Sequence, residues 1–234
     1  MKDRIKKVIG VLIVTILLVA SAYINTYYRA SEEAVKAIEK AKEIDNDILV
    51  FEPQDEIECG LIFYPGGKVE YTSYAPLMEA CAEEGILCVL VKMPCNLAVF
   101  DINAADGILE QYPEVKEWYM GGHSLGGSMA ASYVGEHLEE FEGIILLASY
   151  STEDLSDTGL EVLSVYGTQD QVLNKEKYIE YEGNLPTNYR EVIIDGGCHA
   201  YFGNYGEQEG DGTANINVEE QQKITVGAIK NFIK

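Results

Sequence analysis

The stretch EWYMGGHSLGGSMAASYVGEHLE, residues 117 to 139, carries the pattern that decides the fold of this chain. Its first part, Glu117–Gly121, predicts a strand, and Leu125–Glu139 predicts a helix. The linking sequence GHSLG, residues 122 to 126, has glycine at both ends, which lets the backbones of strand and helix approach closely. We therefore predict a strand, a very tight turn with Ser124 at its tip, and a helix.

On both sides of this unit, strands and helices continue to alternate. Further strands are predicted at Ile48–Phe51, Glu58–Tyr64, Ile86–Met93, Gly143–Ser149, Val162–Tyr166 and Arg190–Asp195. Helices are predicted at Ser31–Ile44, Tyr74–Glu84, Ala98–Gln111, Lys175–Glu182 and Val218–Phe232. Continuous apolar runs such as Ile86–Met93 are typical of parallel strands that are buried on both faces. The sequence thus predicts an α/β fold with a mostly parallel sheet, whose strands end at one edge.

The charge of the chain argues against a nucleic acid as its partner. The 234 residues include 17 Lys and Arg against 39 Asp and Glu, a formal net charge of −22. A nucleic acid is a poor partner for so acidic a protein, because its phosphates need basic residues to neutralise them.

The five cysteines form no Cys-x-x-Cys pair and no zinc-type spacing, so we predict no metal site. Cys81 and Cys88 are best explained as small buried side chains.

The N-terminal segment differs from the rest. Residues 1–28 begin with four basic residues and one acidic residue, and then run without charge from Val8 to Tyr28. This pattern predicts a signal anchor or transmembrane segment, with the rest of the chain outside the cytoplasm. Cleavage near Ala22, which would release a secreted protein, is the alternative. We expect residues 29–46, with the helix Ser31–Ile44, to act as a spacer before a domain formed by residues 47–234.

The turn at Ser124 has the features of a nucleophile elbow, a strained turn that exposes a serine hydroxyl above the edge of a sheet. A serine hydroxyl is a weak nucleophile without a base. Of the three histidines, His123 adjoins the serine within the turn and His137 falls on a charged helical stretch. His199 follows a late strand in a glycine-rich loop, which can return over the elbow. By elimination, His199 is the candidate base.

An acid is expected between Ser124 and His199 in chain order, to hold the imidazole in one tautomer. Asp170 follows the predicted strand Val162–Tyr166 and is the first candidate. Asp195, four residues before His199, is its main rival. Glu153 and Asp154, which follow the preceding strand, are weaker rivals.

Backbone N–H groups are the candidates for stabilising an oxyanion. Leu125 supplies one, at the start of the helix, and Gly67 or Lys68 in the early loop YPGGK supplies the other. The same loop is not a phosphate loop, because Ile62 and Val69 stand where that motif needs glycine and serine or threonine. We predict no nucleotide and no other cofactor.

The motifs GGHSLGG, YPGGKVE, YGTQD and DGGCHAYFGNYGEQEGDG, together spanning about Cys59 to the C-terminus, resemble small α/β-hydrolases of the "alpha/beta hydrolase fold-5" type, which are akin to dienelactone-hydrolase-like enzymes. The resemblance implies an α/β-hydrolase fold with Ser124 as nucleophile, Asp170 as acid and His199 as base. Dienelactone hydrolase itself has Cys where this chain has Ser124. The resemblance also implies a small-molecule ester as substrate.

The segment between the strands Gly143–Ser149 and Val162–Tyr166 is too short for the lid domain of many such enzymes. The aromatic residues Tyr201, Phe202 and Tyr205 either line the substrate site or pack the His199 loop. Taken together, the sequence predicts a membrane-anchored, lidless serine hydrolase that acts on a carboxylic ester or thioester. The alternative is a non-catalytic surface binding protein on a hydrolase scaffold. The sequence indicates no oligomeric state.

Overall fold

The computed structural model describes residues 2–44 and 47–233. Within these ranges one sheet of eight strands crosses the molecule, in the order β1-β2-β4-β3-β5-β6-β7-β8. The first two strands pair antiparallel, as do β2 and β4, and every pairing from β4 to β8 is parallel. The strands are β1 (Lys42–Ile44), β2 (Ile48–Phe51), β3 (Cys59–Tyr64), β4 (Ile86–Val91), β5 (Trp118–His123), β6 (Gly143–Leu147), β7 (Glu161–Gly167) and β8 (Arg190–Ile194).

Helices cover both faces of the sheet, which gives two separate apolar cores. Leu61 and Phe63 of β3 point into the first core, together with Met78 and Phe232. Ile62, between them, points into the second core on the opposite face. The helices are α1 (Lys2–Asn25), α2 (Glu32–Ala37), α3 (Ala75–Ala82), α4 (Leu125–Glu136), α5 (Lys175–Glu180) and α6 (Val218–Ile233). The central strands are buried on both faces, as their apolar sequences predict.

The predicted helix Ala98–Gln111 does not form. This segment holds two short 3₁₀ turns, Ala98–Phe100 and Leu109–Gln111, separated by irregular chain. The buried hydroxyl of Tyr64 accepts a hydrogen bond from the N–H of Ala105 (2.9 Å) and donates one to the carbonyl of Ile102 (2.7 Å). These contacts with a distant side chain replace the hydrogen bonds that a helix would make within the segment.

The predicted helix Ser31–Ile44 is also corrected. Ser31 caps α2 as expected, but α2 ends at Ala37, one 3₁₀ turn follows, and Lys42–Ile44 form the edge strand β1. The segment packs on the main body, because Ala34 is fully buried and the Ser31 N–H donates to the Asn204 carbonyl (2.7 Å). It therefore does not stand apart from the sheet as a spacer. Residues 45 and 46, at the expected domain boundary, lie outside the described residues, and the boundary remains a prediction.

Helix α1 projects apolar side chains to its surroundings over nearly its whole length. By length and composition, the part from Arg4 to Tyr23 could cross a bilayer, a property that signal sequences share. Beyond α1, Tyr28 joins the main body through a backbone bridge to Val69. The apolar helix and the first contact of the chain with the main body are thus separated by only a few residues.

Candidate active site

Ser124 is the single residue between β5 and α4, as the motif predicts. Its backbone angles, φ 52° and ψ −122°, are strained for a residue with a side chain. The turn is possible only because glycines surround it. A Cβ on Gly122 would lie 2.6 Å from the Gly127 nitrogen, and a Cβ on Gly126 would lie 2.3 Å from the carbonyl oxygens of Tyr64 and Pro65. The helix therefore begins in direct backbone contact with the loop that follows β3.

Long-range hydrogen bonds hold Ser124 in this conformation. Its N–H donates to the carbonyl of Leu147 (2.9 Å), at the end of the neighbouring strand β6. Its carbonyl accepts a hydrogen bond from the Ser149 hydroxyl (2.7 Å). Between these two partners, Ala148 also has a positive φ of 45°. The sequence analysis missed the contribution of Ser149, because this residue lies outside the motif GHSLG that predicted the turn.

His199 and Asp170 form a buried hydrogen-bonded pair. The distance from His199 Nδ1 to Asp170 Oδ2 is 2.8 Å, and each residue is 1% exposed. The other oxygen, Oδ1, accepts hydrogen bonds from the N–H groups of Val172 (2.9 Å) and Leu173 (2.8 Å). A carboxylate only accepts, so Nδ1 carries the proton and Nε2 is left as an acceptor. The pair therefore presents imidazole in the tautomer that a base needs.

The rival acids have other partners. Asp195 is exposed and accepts a hydrogen bond from the Thr168 hydroxyl (3.3 Å). Glu153 accepts one from Ser132 (3.4 Å), and Asp154 accepts two from Ser156. Among the residues that the structure describes, Asp170 is the carboxylate bonded to His199.

The His199 ring lies beside the elbow. Its centroid is 4.5 Å from that of His123, the residue that immediately precedes Ser124. The described residues include no hydrogen bond between the Ser124 hydroxyl and His199. What the geometry establishes is proximity of the imidazole to the turn, with Ser124 partly exposed next to it.

Two polar residues far along the chain position the His199 loop. Gln221 of α6 accepts a hydrogen bond from the Cys198 N–H (2.9 Å) and donates one to the Cys198 carbonyl (2.8 Å). Asp211 accepts from the N–H of Ala200 (2.9 Å) and from that of Gln171 (3.3 Å), next to Asp170. The loop of the histidine is therefore tied both to α6 and to the loop of its acid. Gln221 belongs to no motif, and Asp211 lies near the end of the motif DGGCHAYFGNYGEQEGDG, but the sequence analysis assigned a positioning role to neither residue.

Hydrogen bonds within the protein exclude one of the candidate oxyanion donors. The N–H of Lys68 donates to the Asn96 carbonyl (2.7 Å), so Lys68 is not available, contrary to its inclusion among the candidates. Gly67 lies against Leu125, since a Cβ built on it would be 3.3 Å from Leu125 Cβ. Within the described part of the chain, neither Gly67 nor Leu125 uses its N–H in a hydrogen bond. These two N–H groups remain the candidate pair.

A buried Tyr74–His123 pair joins the early loop to the elbow. The Tyr74 hydroxyl accepts a hydrogen bond from the Gly66 N–H (3.0 Å) and lies 2.7 Å from His123 Nδ1. Burial, and then the neighbouring His199, lower the pKa of His123 well below its ordinary value. His123 is therefore neutral at pH 7, and a hydrogen bond joins its Nδ1 to the Tyr74 hydroxyl. This connection was not predicted, because no local pattern links the two residues.

The aromatic residues after His199 pack the loop more than they open a site. Phe202 is fully buried, with its ring centroid 5.5 Å from that of His123, and Tyr205 packs on Tyr28 at 5.6 Å. Tyr201 is partly exposed. Residues 148–160, between β6 and β7, contain no helix or strand, so no lid domain lies at this position.

The cysteine thiols form no disulfide, and the described residues form no metal-binding group. All five cysteines of the chain are free thiols, and Cys81 and Cys88 are buried in the first core. In residues 2–44 and 47–233, no group of three or more His, Cys, Asp or Glu side chains is arranged to hold a metal ion.

Comparisons with known proteins agree with this fold. The sequence profile of the alpha/beta hydrolase family matches residues 60–223. No curated protein matches the chain. Several solved structures share its fold. A predicted CIB-like hydrolase from Thermoplasma acidophilum is 16% identical, with a TM-score of 0.57 over 82% of this chain and 96% of that one.

Est1E from Butyrivibrio proteoclasticus is a second similar structure. It is 15% identical, with a TM-score of 0.61 over 82% of this chain and 96% of its own. A structure of Est1E with ferulic acid bound is 14% identical, with a TM-score of 0.62 and coverage of 82% and 98%. These identities show a shared fold alone. The profile match extends over more than half of the chain and includes Ser124, Asp170 and His199, so this chain belongs to the alpha/beta hydrolase family.

Proposed function

We propose that the protein is a serine hydrolase that cleaves a carboxylic ester, or the related thioester, with Ser124 as nucleophile, His199 as base and Asp170 as the acid that orients it. The observation that carries the proposal is the buried His199–Asp170 pair beside a strained serine turn. Acyl transfer requires both an imidazole held in one tautomer and a serine that solvent can reach, and Ser124 is partly exposed.

In the proposed reaction, Ser124 Oγ forms a bond to the carbonyl carbon and passes its proton to His199 Nε2. The N–H groups of Gly67 and Leu125 stabilise the negative charge that develops on the carbonyl oxygen. The ester C–O bond then breaks, and the leaving alcohol takes the proton from His199. Water next attacks the acyl carbon, gives its proton to His199, and releases the acid. The proton returns to Ser124.

The family supports hydrolysis in general, and one neighbour bears on the substrate class. The Est1E structure contains ferulic acid, a small carboxylic acid of the kind that ester hydrolysis releases. We extend this substrate class to the present chain as part of the proposal, because its strained serine turn and buried His199–Asp170 pair have the features that hydrolysis of such an ester requires.

Fluorophosphonate labelling tests the proposed nucleophile. The wild-type protein should be labelled at Ser124, whereas Ser124→Ala should lose the label and several orders of magnitude of ester turnover. Ser128→Ala, one turn further along α4, is the matched control and should keep the label. Undiminished labelling of Ser124→Ala would refute the nucleophile, and an unlabelled wild type would favour the non-catalytic binding protein.

We further propose that α1 anchors the protein in a membrane, with residues 29–234 outside the cytoplasm. The charge-free run and the basic residues before it support this orientation. Protease added to intact producing cells should remove the main body and leave the N-terminal end protected. Release into the medium of a chain that starts near Tyr23 would show a cleaved signal instead, and recovery in the cytosol alone would contradict both.

A further inference from the structure

An apolar groove of about 470 Å³ lies between α1 and the turn that follows β4, which is formed by residues 94–100. Ile16, Val19 and Tyr23 line it from α1, and Leu97 and Phe100 line it from the turn. Among the residues that the structure describes, no charged side chain borders it. A groove of this composition fits a hydrocarbon chain better than a polar ligand.

Leu97 connects the groove to the candidate active site. A Cβ built on Gly67 would lie 3.6 Å from Leu97 Cδ2 and 3.0 Å from Leu125 Cδ2. Leu97 thus borders the groove on one side and the candidate oxyanion donors on the other.

The loop after β3, the turn and the end of α1 are joined by direct contacts. The N–H of Lys68 donates to the Asn96 carbonyl (2.7 Å), which ties the loop to the turn. The Lys68 ammonium lies 4.0 Å from the centre of the Tyr23 ring and donates to the Thr26 hydroxyl (3.2 Å). The end of α1 is therefore held next to the candidate active site.

The turn also exposes apolar surface beside the helix. Val99 is 50% exposed and Phe100 is 60% exposed. With a rise of about 1.5 Å per residue, Ile16 lies about 10 Å along the axis of α1 from Tyr23. When Tyr23 lies at a membrane interface, which its aromatic ring favours, this part of the groove faces the hydrocarbon layer. Exposed apolar side chains at such a place mark contact with a membrane.

We infer that the groove binds the acyl chain of an ester that resides in the membrane, so that the substrate is a lipid-like amphiphile reached from the bilayer. This inference rests on the proposed serine hydrolase and on the proposed anchoring by α1. It commits the groove to an acyl chain, because the groove is apolar and Leu97, which lines it, also lies next to Gly67, where an ester carbonyl would bind.

A long-chain fluorophosphonate with a diazirine near the end of its alkyl chain tests the inference on the full-length protein in phosphatidylcholine vesicles. Attachment to Ser124 reports on the proposed function. Photolysis then reports where the chain lies. Cross-links to α1 near Ile16 and Val19, or to the turn Leu97–Phe100, are the expected result. Attachment with cross-links elsewhere overturns the groove and leaves the serine hydrolase intact, whereas no attachment refutes the serine hydrolase and the inference with it.

Chain-length selectivity gives a second measurement. The ratio of kcat/KM for p-nitrophenyl palmitate to that for p-nitrophenyl butyrate should fall about tenfold in Phe100→Ser, through the loss of apolar contact with the longer chain. Ile179→Ser is the matched control, because Ile179 is an exposed apolar residue on α5, outside the groove and the site. An unchanged ratio in Phe100→Ser, or an equal fall in Ile179→Ser, would overturn the inference.

Discussion

The elbow and the loop of His199 meet at the same place, but they differ in how much of their structure a local motif records. The elbow spans a few residues, and its own glycines let backbones touch, while hydrogen bonds to Leu147 and Ser149 complete it. The His199 loop takes its position from Asp170, Asp211 and Gln221, which lie up to 29 residues away in the chain. A local motif can therefore reveal a nucleophile, whereas the position of its base depends on buried polar contacts that no short pattern contains.

The largest effect is expected on kcat, at the contact between His199 and Asp170. Asp170→Asn should keep the fold and lower kcat on the order of 10⁴-fold, because an amide can hold the imidazole in the wrong tautomer. Asp195→Asn is the matched control and should cost far less, since Asp195 is exposed and bonded to Thr168. Steady-state kinetics with circular dichroism distinguishes the two. A greater loss in Asp195→Asn would reverse the assignment of the acid.

A smaller effect, on the free energy of unfolding, is expected for a substitution in the elbow. Gly126→Ala should lower the free energy of unfolding by about 3 kcal/mol, because its Cβ would lie 2.3 Å from two backbone oxygens that cannot easily move. Gly227→Ala in α6 is the control, since a Cβ there meets nothing within 4 Å and alanine favours a helix. Urea unfolding measures both. If the two variants had the same free energy of unfolding, the elbow would accommodate a Cβ at position 126 and the expected clash would be wrong.

The smallest effect concerns His123, where the two regions touch. Its pKa is lowered in the fold, so below the unfolded-state pKa of about 6.5 the unfolded chain binds a proton that the folded chain does not. Stability should therefore fall as the pH drops from 7 to 5, by up to about 1.4 kcal/mol per pH unit for this one group. In His123→Asn this part of the slope should vanish in urea titrations. Identical slopes in the two proteins would contradict a neutral buried His123.

The comparison also explains which predictions from the sequence succeeded. The α/β-hydrolase family was identified from the motifs, and the strand–turn–helix unit at Ser124 formed as predicted. Predictions failed where contacts with another part of the chain competed with local preference. Ala98–Gln111 has helical periodicity, but Tyr64 binds its backbone, and Lys42–Ile44 pair with β2 rather than extend α2.

The sequence by itself determined the elements that depend on neighbouring residues. Apolar runs specify buried strands, and the glycines at 122 and 126 specify a turn that only small residues permit. Only the tertiary structure decided what depends on distance in space. It paired His199 with Asp170 rather than Asp195, and it used the N–H of Lys68 in a bond to Asn96, leaving Gly67 beside Leu125. Hydrogen bonds between residues far apart in the chain have no local signature, because either partner alone could bond to water instead.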